Sequence, residues 1–286
     1  MQQYSKRGYL NSDFRLFHLT DQEEKEYDYH THDFHKITIF IRGKVQYFVE
    51  GKTYELQPYD IVLVNRNDIH RVFVDGSEIY ERIIVYISPG FMEAYHTEEY
   101  DLTYCFQRAS EEQSYVLRIP SLPKSTLFKT TTRLEHSFDD TEYAGSLYRE
   151  ILFLEFMIQL NRAAIKERIE YLDTGMYNPK VIEIMHYIQE HLTDTLDIDT
   201  IASTFYLSKY YMMRLFKSET GVTIGTYITR RRLMLAQDYI TSGMTVTEAC
   251  FASGFKNYST FSRAYKAEFH TTPRELSTHK KEDSGT

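Results

Sequence analysis

At 286 residues, with 42% hydrophobic and 26% charged positions, the chain is long enough for two hydrophobic cores and has the balance of a soluble globular protein. Cys105 and Cys250 are its only cysteines, far apart and without metal-ligand spacing, which excludes a disulfide framework and suits a reducing cytoplasm. The net charge of −8 is uneven: residues 1–177 carry 20 Lys and Arg against 29 Asp and Glu, residues 178–286 carry 13 against 12, so the first half is a poor partner for nucleic acid.

The opening MQQYSKRGYLNSDFRLF lacks an apolar h-region and predicts no signal peptide. From Lys36 to Ile87 short β-type runs follow one another: KITIFIR, VQYFVE, TYEL, DIVLV, IHRVFV and IYERIIVYI. Gly43-Lys44, Gly51-Lys52, Pro58-Tyr59 and Asp75-Gly76 punctuate them. Runs this short and regular predict an antiparallel barrel or sandwich, with SYVLRI (114–119) as one further strand.

Residues 146–172 predict a long helix with Leu147, Ile151, Leu154, Ile158, Ile165 and Leu172 on one seam, joined by Asn161. Phe153, Phe156, Met157 and Leu160 make it apolar nearly all round, so one side should pack on the β-domain and the other on a second copy of the chain. The stretch ILFLEFMIQL inside it is too short and too polar, with Glu155, to span a bilayer. Gly175 stops the pattern, and Asn178-Pro179 caps and opens the next helix. The expected organisation is α+β and multidomain. An antiparallel β-barrel domain with helices fills 1–172, a linker 173–178, and an all-α domain 179–286.

That second domain repeats itself. LSKYYMMRLFKSETG (207–221) returns as FKNYSTFSRAYKAEFH (255–270), with Arg214 on Arg263, Phe216 on Tyr265, Lys217 on Lys266 and Glu219 on Glu268. A short helix precedes each copy, with Asp199 or Thr247 as its expected cap, and Leu207 or Phe255 plugs the turn. Short helix, tight turn, second helix: two helix-turn-helix motifs are predicted. Met212, Leu215 and Phe216, matched by Phe261, Ala264 and Tyr265, should face the core. The opposite faces carry Lys209, Tyr210, Met213, Arg214 and Lys217 in one copy, and Tyr258, Ser259, Thr260, Arg263 and Lys266 in the other. Arginine can read guanine edges, hydroxyls can reach bases, and lysines can neutralise phosphates. Between the copies TYITRRRLMLAQDYI predicts a spacer helix with Ile228, Leu235, Ala236 and Tyr239 inward. It can hold two recognition helices about one DNA turn, roughly 34 Å, apart.

Residues 179–277 resemble the DNA-binding domain of the AraC/XylS family of bacterial transcription regulators, along essentially all of both helix-turn-helix signatures. The resemblance implies base reading by Tyr210, Met213 and Arg214, and by Ser259, Thr260 and Arg263. His270 departs from the glycine usual there, whereas Gly221 keeps it. In the first half, HTHDFHKITIFIRG (30–43) resembles the first cupin motif, and Pro58-Tyr59-Asp60 with His70 resembles the second. Family members commonly carry such a barrel for effector binding and dimerisation. His30, His32 and His70 could supply three imidazoles to a metal, but Lys36 occupies the position of a cupin enzyme's carboxylate, and Asp33 or His35 would have to replace it. An ammonium repels a cation there. The expectation is therefore no metal, no cofactor and no enzymatic activity. His30, His32, Lys36, Tyr47 and His70 are expected to form a pocket for a sugar or other small polar effector: Lys36 could pair with a carboxylate or phosphate, and the imidazoles and Tyr47 could equally bind sugar hydroxyls. The partners implied are operator DNA, that effector and a second copy, with room for RNA polymerase; no membrane is implied.

Overall fold

The computed structural model describes residues 10, 12–119, 121–165, 170–171, 176–269 and 271–275, with side chains left undescribed over 166–177. The chain divides into two compact units, Met1–Met176 and Tyr177–Thr286.

The first unit is built on two antiparallel sheets. Its strands are β1 (Phe14–Asp21), β2 (Lys25–Glu26), β3 (His35–Arg42), β4 (Val45–Val49), β5 (Lys52–Glu55), β6 (Ile61–Val64), β7 (His70–Val74), β8 (Tyr80–Ile87), β9 (Val116–Arg118), β10 (Glu170–Tyr171) and β11 (Met176–Tyr177). One sheet has the order β1-β8-β3-β6-β9-β10 and the other β11-β5-β4-β7-β2. Among the described residues no ladder joins the sheets, so the expected barrel is not closed; it is a pair of facing sheets. Side chains 37–40 of β3 and the whole of β6 are buried, as in strands covered on both faces, while β4 alternates with Val45, Tyr47 and Val49 inward. All six predicted runs from Lys36 to Ile87 are strands. β1 escapes the pattern because Leu16 alone of its eight residues is buried.

Among the described residues this unit also has four α-helices, α1 (Pro89–Ala94), α2 (Tyr104–Glu111), α3 (Thr126–His136) and α4 (Gly145–Ile165), and a short 3-10 helix at Leu122–Lys124. The helix expected over 146–172 therefore ends earlier. Glu170 and Tyr171 pair with Arg118 and Leu117 of β9, a ladder that overrides helical periodicity, and Leu172 lies outside the described residues. Leu152, Phe153, Phe156, Met157 and Leu160 of α4 enter the core. Asn161 joins that face rather than the seam: its Oδ1 accepts from Cys105 N at 2.7 Å and its Nδ2 donates to Leu102 O at 3.0 Å. Leu154, also expected on the seam, is half-buried and packs against the core, whereas Leu147, Ile151, Ile158 and Ile165 stay in solvent, each more than two-fifths exposed.

The second unit is helical: α5 (Pro179–Glu190), α6 (Ile198–Thr204), α7 (Lys209–Thr220), α8 (Ile224–Thr241), α9 (Val246–Ala252) and α10 (Tyr258–Phe269). Asn178 caps α5 as expected, accepting from Lys180 N. The short helices are capped two residues earlier than expected, α6 by Asp197 and α9 by Thr245, the latter closing a capping box with Glu248. Asp199 and Thr247 lie inside these helices because the cap must present its oxygen to an amide of the first turn. Phe216 meets Tyr227 of α8 edge-on, with ring centroids 5.6 Å apart. Further along α8, Leu233, Ala236 and Ile240 share a core with Cys250, Phe255, Phe261 and Tyr265. α8 is thus buried along more of its circumference than predicted; Leu235 and Tyr239 are only half-buried, and Tyr227, Leu233 and Ile240 take the deeper places.

Candidate functional site

A cavity of about 200 Å³ opens into the first unit. β3 sends in Lys36 and Thr38, and β8 sends in Tyr80, Arg82, Ile84 and Tyr86, alternate residues that share one face of the strand. Antiparallel register sets Lys36 opposite Tyr86 and Phe40 opposite Arg82. Leu19, Tyr27, His30, His32, Tyr47 and Val72 complete the wall. Four of the five expected effector residues therefore meet there. His70 does not line the cavity; it is fully buried against His30, with ring centroids 4.3 Å apart, and against His32, at 4.9 Å.

The imidazoles are oriented by the backbone. His30 Nδ1 donates to Asp28 O at 2.8 Å and His70 Nδ1 donates to Asp68 O at 3.0 Å, which leaves Nε2 of each ring for other partners. Burial, with Lys36 and the other two histidines nearby, holds His70 well below the usual imidazole range. Ligand atoms of His30, His32 and His70 lie within 4.8 Å of one another, so the three could hold a cation. Of the two residues considered as a further ligand, His35 points elsewhere. His35, next to Lys36 along β3, stacks against Phe106 of α2 with centroids 4.7 Å apart, on the other side of the strand. Asp60 of the second cupin-like motif is also spoken for, taking both arms of the Arg118 guanidinium at 2.8 and 2.7 Å.

Lys36 is buried, and that burial lowers its pKa; Tyr86 raises it and Arg82 lowers it further. Its Nζ stands 5.7 Å from the Tyr47 ring centroid. Arg82 is buried beside it and pairs with the exposed Asp21. Arg82, Tyr27, Tyr80 and Tyr86 went unread in the sequence, although the period-two face of IYERIIVYI carries three of them.

In the second unit the two helix-turn-helix motifs share the same turn and capping contacts. Leu207 N donates to Ala202 O at 2.9 Å, and Phe255 N donates to Cys250 O at 3.2 Å at the matching place. Tyr206 and Gly254 occupy the same left-handed turn position, at φ 55° and 90°. Ser208 caps α7, and Asn257 Oδ1 accepts from Thr260 N at the start of α10. Met212, Phe216, Phe261 and Tyr265 are buried, Leu215 and Ala264 half-buried. Lys209, Tyr210, Met213, Arg214 and Lys217 stand exposed on α7, as do Ser259, Thr260, Arg263 and Lys266 on α10. Tyr258 departs from this set: it is half-buried against Phe261, three residues on along the same stripe, with centroids 5.9 Å apart. Lys209 pairs with Asp199 at 2.8 Å, an exposed contact. Gly221 ends α7 at φ 73°, a left-handed cap that suits glycine; His270 lies outside the described residues.

Residues 16–152 match the family model of the AraC-like ligand binding domain, and residues 201–279 match that of a helix-turn-helix domain. The HTH-type transcriptional activator RhaS of Enterobacter sp. (strain 638) is 24% identical over 248 residues, 86% of each chain. RhaS of Escherichia coli O139:H28 is 23% identical over 272 residues, 88% of each chain. Among solved structures, ToxT of Vibrio cholerae is 13% identical over 93% of this chain and 98% of its own, with a TM-score of 0.37. The C-terminal domain of AraT from Geobacillus stearothermophilus is 23% identical over 36% of this chain and 86% of its own, with a TM-score of 0.34.

Proposed function

The chain belongs to the AraC family of transcription regulators, and we propose that it reads a specific operator through α7 and α10 under the control of a small polar effector taken into the cavity of the first unit. The observation that carries this reading is the repeated motif: two reading faces of matched position, both exposed, on helices that pack against one spacer, α8. Arg214 and Arg263 are assigned to base edges, with Tyr210, Met213, Ser259 and Thr260 beside them, and Lys209, Lys217 and Lys266 to phosphates. Lys209 would exchange Asp199 for phosphate on binding.

Selection from a random duplex library with the full chain tests the reading. It should enrich a two-part site whose parts lie about one helical turn, roughly 34 Å, apart. Enrichment of no sequence would overturn it. No helix among the described residues is long and apolar enough to cross a membrane. The two free cysteines suit the reducing cytoplasm in which we place the chain, and its similarity to transcription activators supports a non-enzymatic role.

The same reading makes the chain a homodimer through α4. Leu147, Ile151, Ile158 and Ile165 form an apolar stripe with 4- and 7-residue spacing, and the opposite face of the helix already fills the core. Ile151→Glu and Ile158→Glu should lower the mass seen by light scattering to that of a monomer without loss of fold, since both positions are exposed in the single chain. A dimer unchanged by both substitutions would place the interface elsewhere.

A further inference from the structure

The cavity's charge says more about its ligand than its shape does. Two cations, Lys36 and Arg82, and two imidazoles line it, together with four tyrosines, and no carboxylate does. Arg82 has its counter-charge in Asp21. Lys36 makes no ion pair among the described residues; the groups that act on it include Tyr86, Arg82, Tyr27, the Tyr47 ring and His70, and none of these is a carboxylate. A buried amine without an anionic partner carries its charge only at a cost, and an acidic group on a ligand would supply the missing counter-charge. A neutral sugar would offer hydroxyls to the imidazoles and tyrosines but leave that charge uncompensated.

We propose that the effector is an anion, a small carboxylate or phosphate monoester, whose acidic group pairs with Lys36 beside Arg82 and whose remaining polar atoms meet His30, His32 and Tyr47. This rests on the regulator reading and narrows its ligand class. The volume of about 200 Å³ falls below the range of about 300–1,000 Å³ usual for drug-sized ligands, which points to a compact molecule such as a sugar acid or sugar phosphate. A charge-assisted contact at the buried ammonium supplies the affinity, and the tyrosine tips supply orientation.

The test uses the full chain, wild type and Lys36→Met, with glucose, glucuronate, glucose 6-phosphate and inorganic phosphate at matched ionic strength. Without additive, Lys36→Met should melt no lower than wild type, because the substitution removes a buried amine that no ion pair compensates and keeps the stem's packing. A merely structural lysine would give the opposite result. At least one anion should raise the wild-type melting temperature by roughly 3 °C or more, through preferential binding to the folded state. Calorimetry should show that anion at least tenfold weaker on Lys36→Met and glucose at least tenfold weaker on wild type. The glucuronate and phosphate arms separate the two acid chemistries. The proposal falls if no anion distinguishes wild type from Lys36→Met, or if glucose binds both proteins as tightly as the anions do. Should Lys36→Met not fold, the wild-type contrast between glucose and the anions decides alone. The regulator reading fails by a different measurement, the random-library selection, whatever the cavity binds.

Discussion

His30, His32 and Lys36 of the first unit are buried, whereas Tyr210, Arg214 and Arg263 of the second stand in solvent. The sensing unit stores its polar chemistry at a desolvation cost, and so its ligand, its pH response and its stability are coupled. The reading unit carries its chemistry on a surface that folding does not use, so stability and recognition can vary separately. Four measurements break or sharpen that contrast.

Acid should separate the units most. Burial, with Arg66 nearby, pushes His35 down to about 4. Above the ordinary value of 6.5 the ring is neutral folded or unfolded; below it the unfolded chain takes up a proton that the folded chain refuses. Stability is therefore lost from about pH 6.5 down to about 4, by about 3 kcal/mol for this ring alone. His18 works the other way: burial opposes its protonation, but hydrogen bonds to Glu135 and Glu81 outweigh that and raise its pKa, so its contribution is present below 6.5 and fades as pH rises. It is partly exposed and screened, and His35 wins. The second unit buries no histidine among its described residues. Hydrogen exchange at pH 7 and pH 4.5 should show protection lost in β3 and retained in α7 and α10.

The converse experiment is Arg214→Ala and Arg263→Ala. Each should cost about 1–3 kcal/mol of operator affinity and relax base preference at one position, measured by equilibrium competition. Neither should move the thermal transition, as both side chains are exposed. A lowered melting temperature would mean that the reading face is part of the scaffold after all.

Lys36→Glu asks what the buried lysine excludes. It adds a carboxylate beside His30, His32 and His70, and zinc affinity in a chelator competition should rise at least about tenfold over wild type. An equal affinity would show that the imidazoles do not converge on one ion.

The smallest effect lies in the turns. Tyr206→Gly gives the first motif the residue that the second has at Gly254, relieving a left-handed conformation, and should stabilise the second unit by about 1 kcal/mol or less. Gly254→Ala should do the reverse, because its Cβ would sit 2.9 Å from Leu192 O.

The reading unit was legible because repetition doubles every signal: Phe216 and Tyr265, buried at matched positions, confirm one another in a way that no single residue can. The caps were misplaced by two residues because Asp197 and Asp199 are both fit for the task, and only backbone geometry chooses between them. Strands β3 to β8 could be read from turn residues and alternation. Whether their sheets close into a barrel depends on ladders between distant segments, and those are not written locally. The same limit hid Arg82, which reaches Lys36 only through the β3–β8 register, and β10, whose two residues pair with β9 more than fifty positions away in sequence. Asn161 misled for a simpler reason. Spacing put it on the seam, but its amide had two backbone partners in the core.

α8 packs against both motifs, with Tyr227 on Phe216 and Leu233 in the core of α9 and α10. An α-helix advances about 1.5 Å and turns about 100° with each residue. One residue inserted between those anchor points would rotate one reading head by more than a quarter turn about the helix axis relative to the other, so that both could no longer face the same groove. The spacer thus acts as a phase lock. Operators of such a protein are free to drift in their letters, but the interval between their two halves can change only if α8 is rebuilt with it.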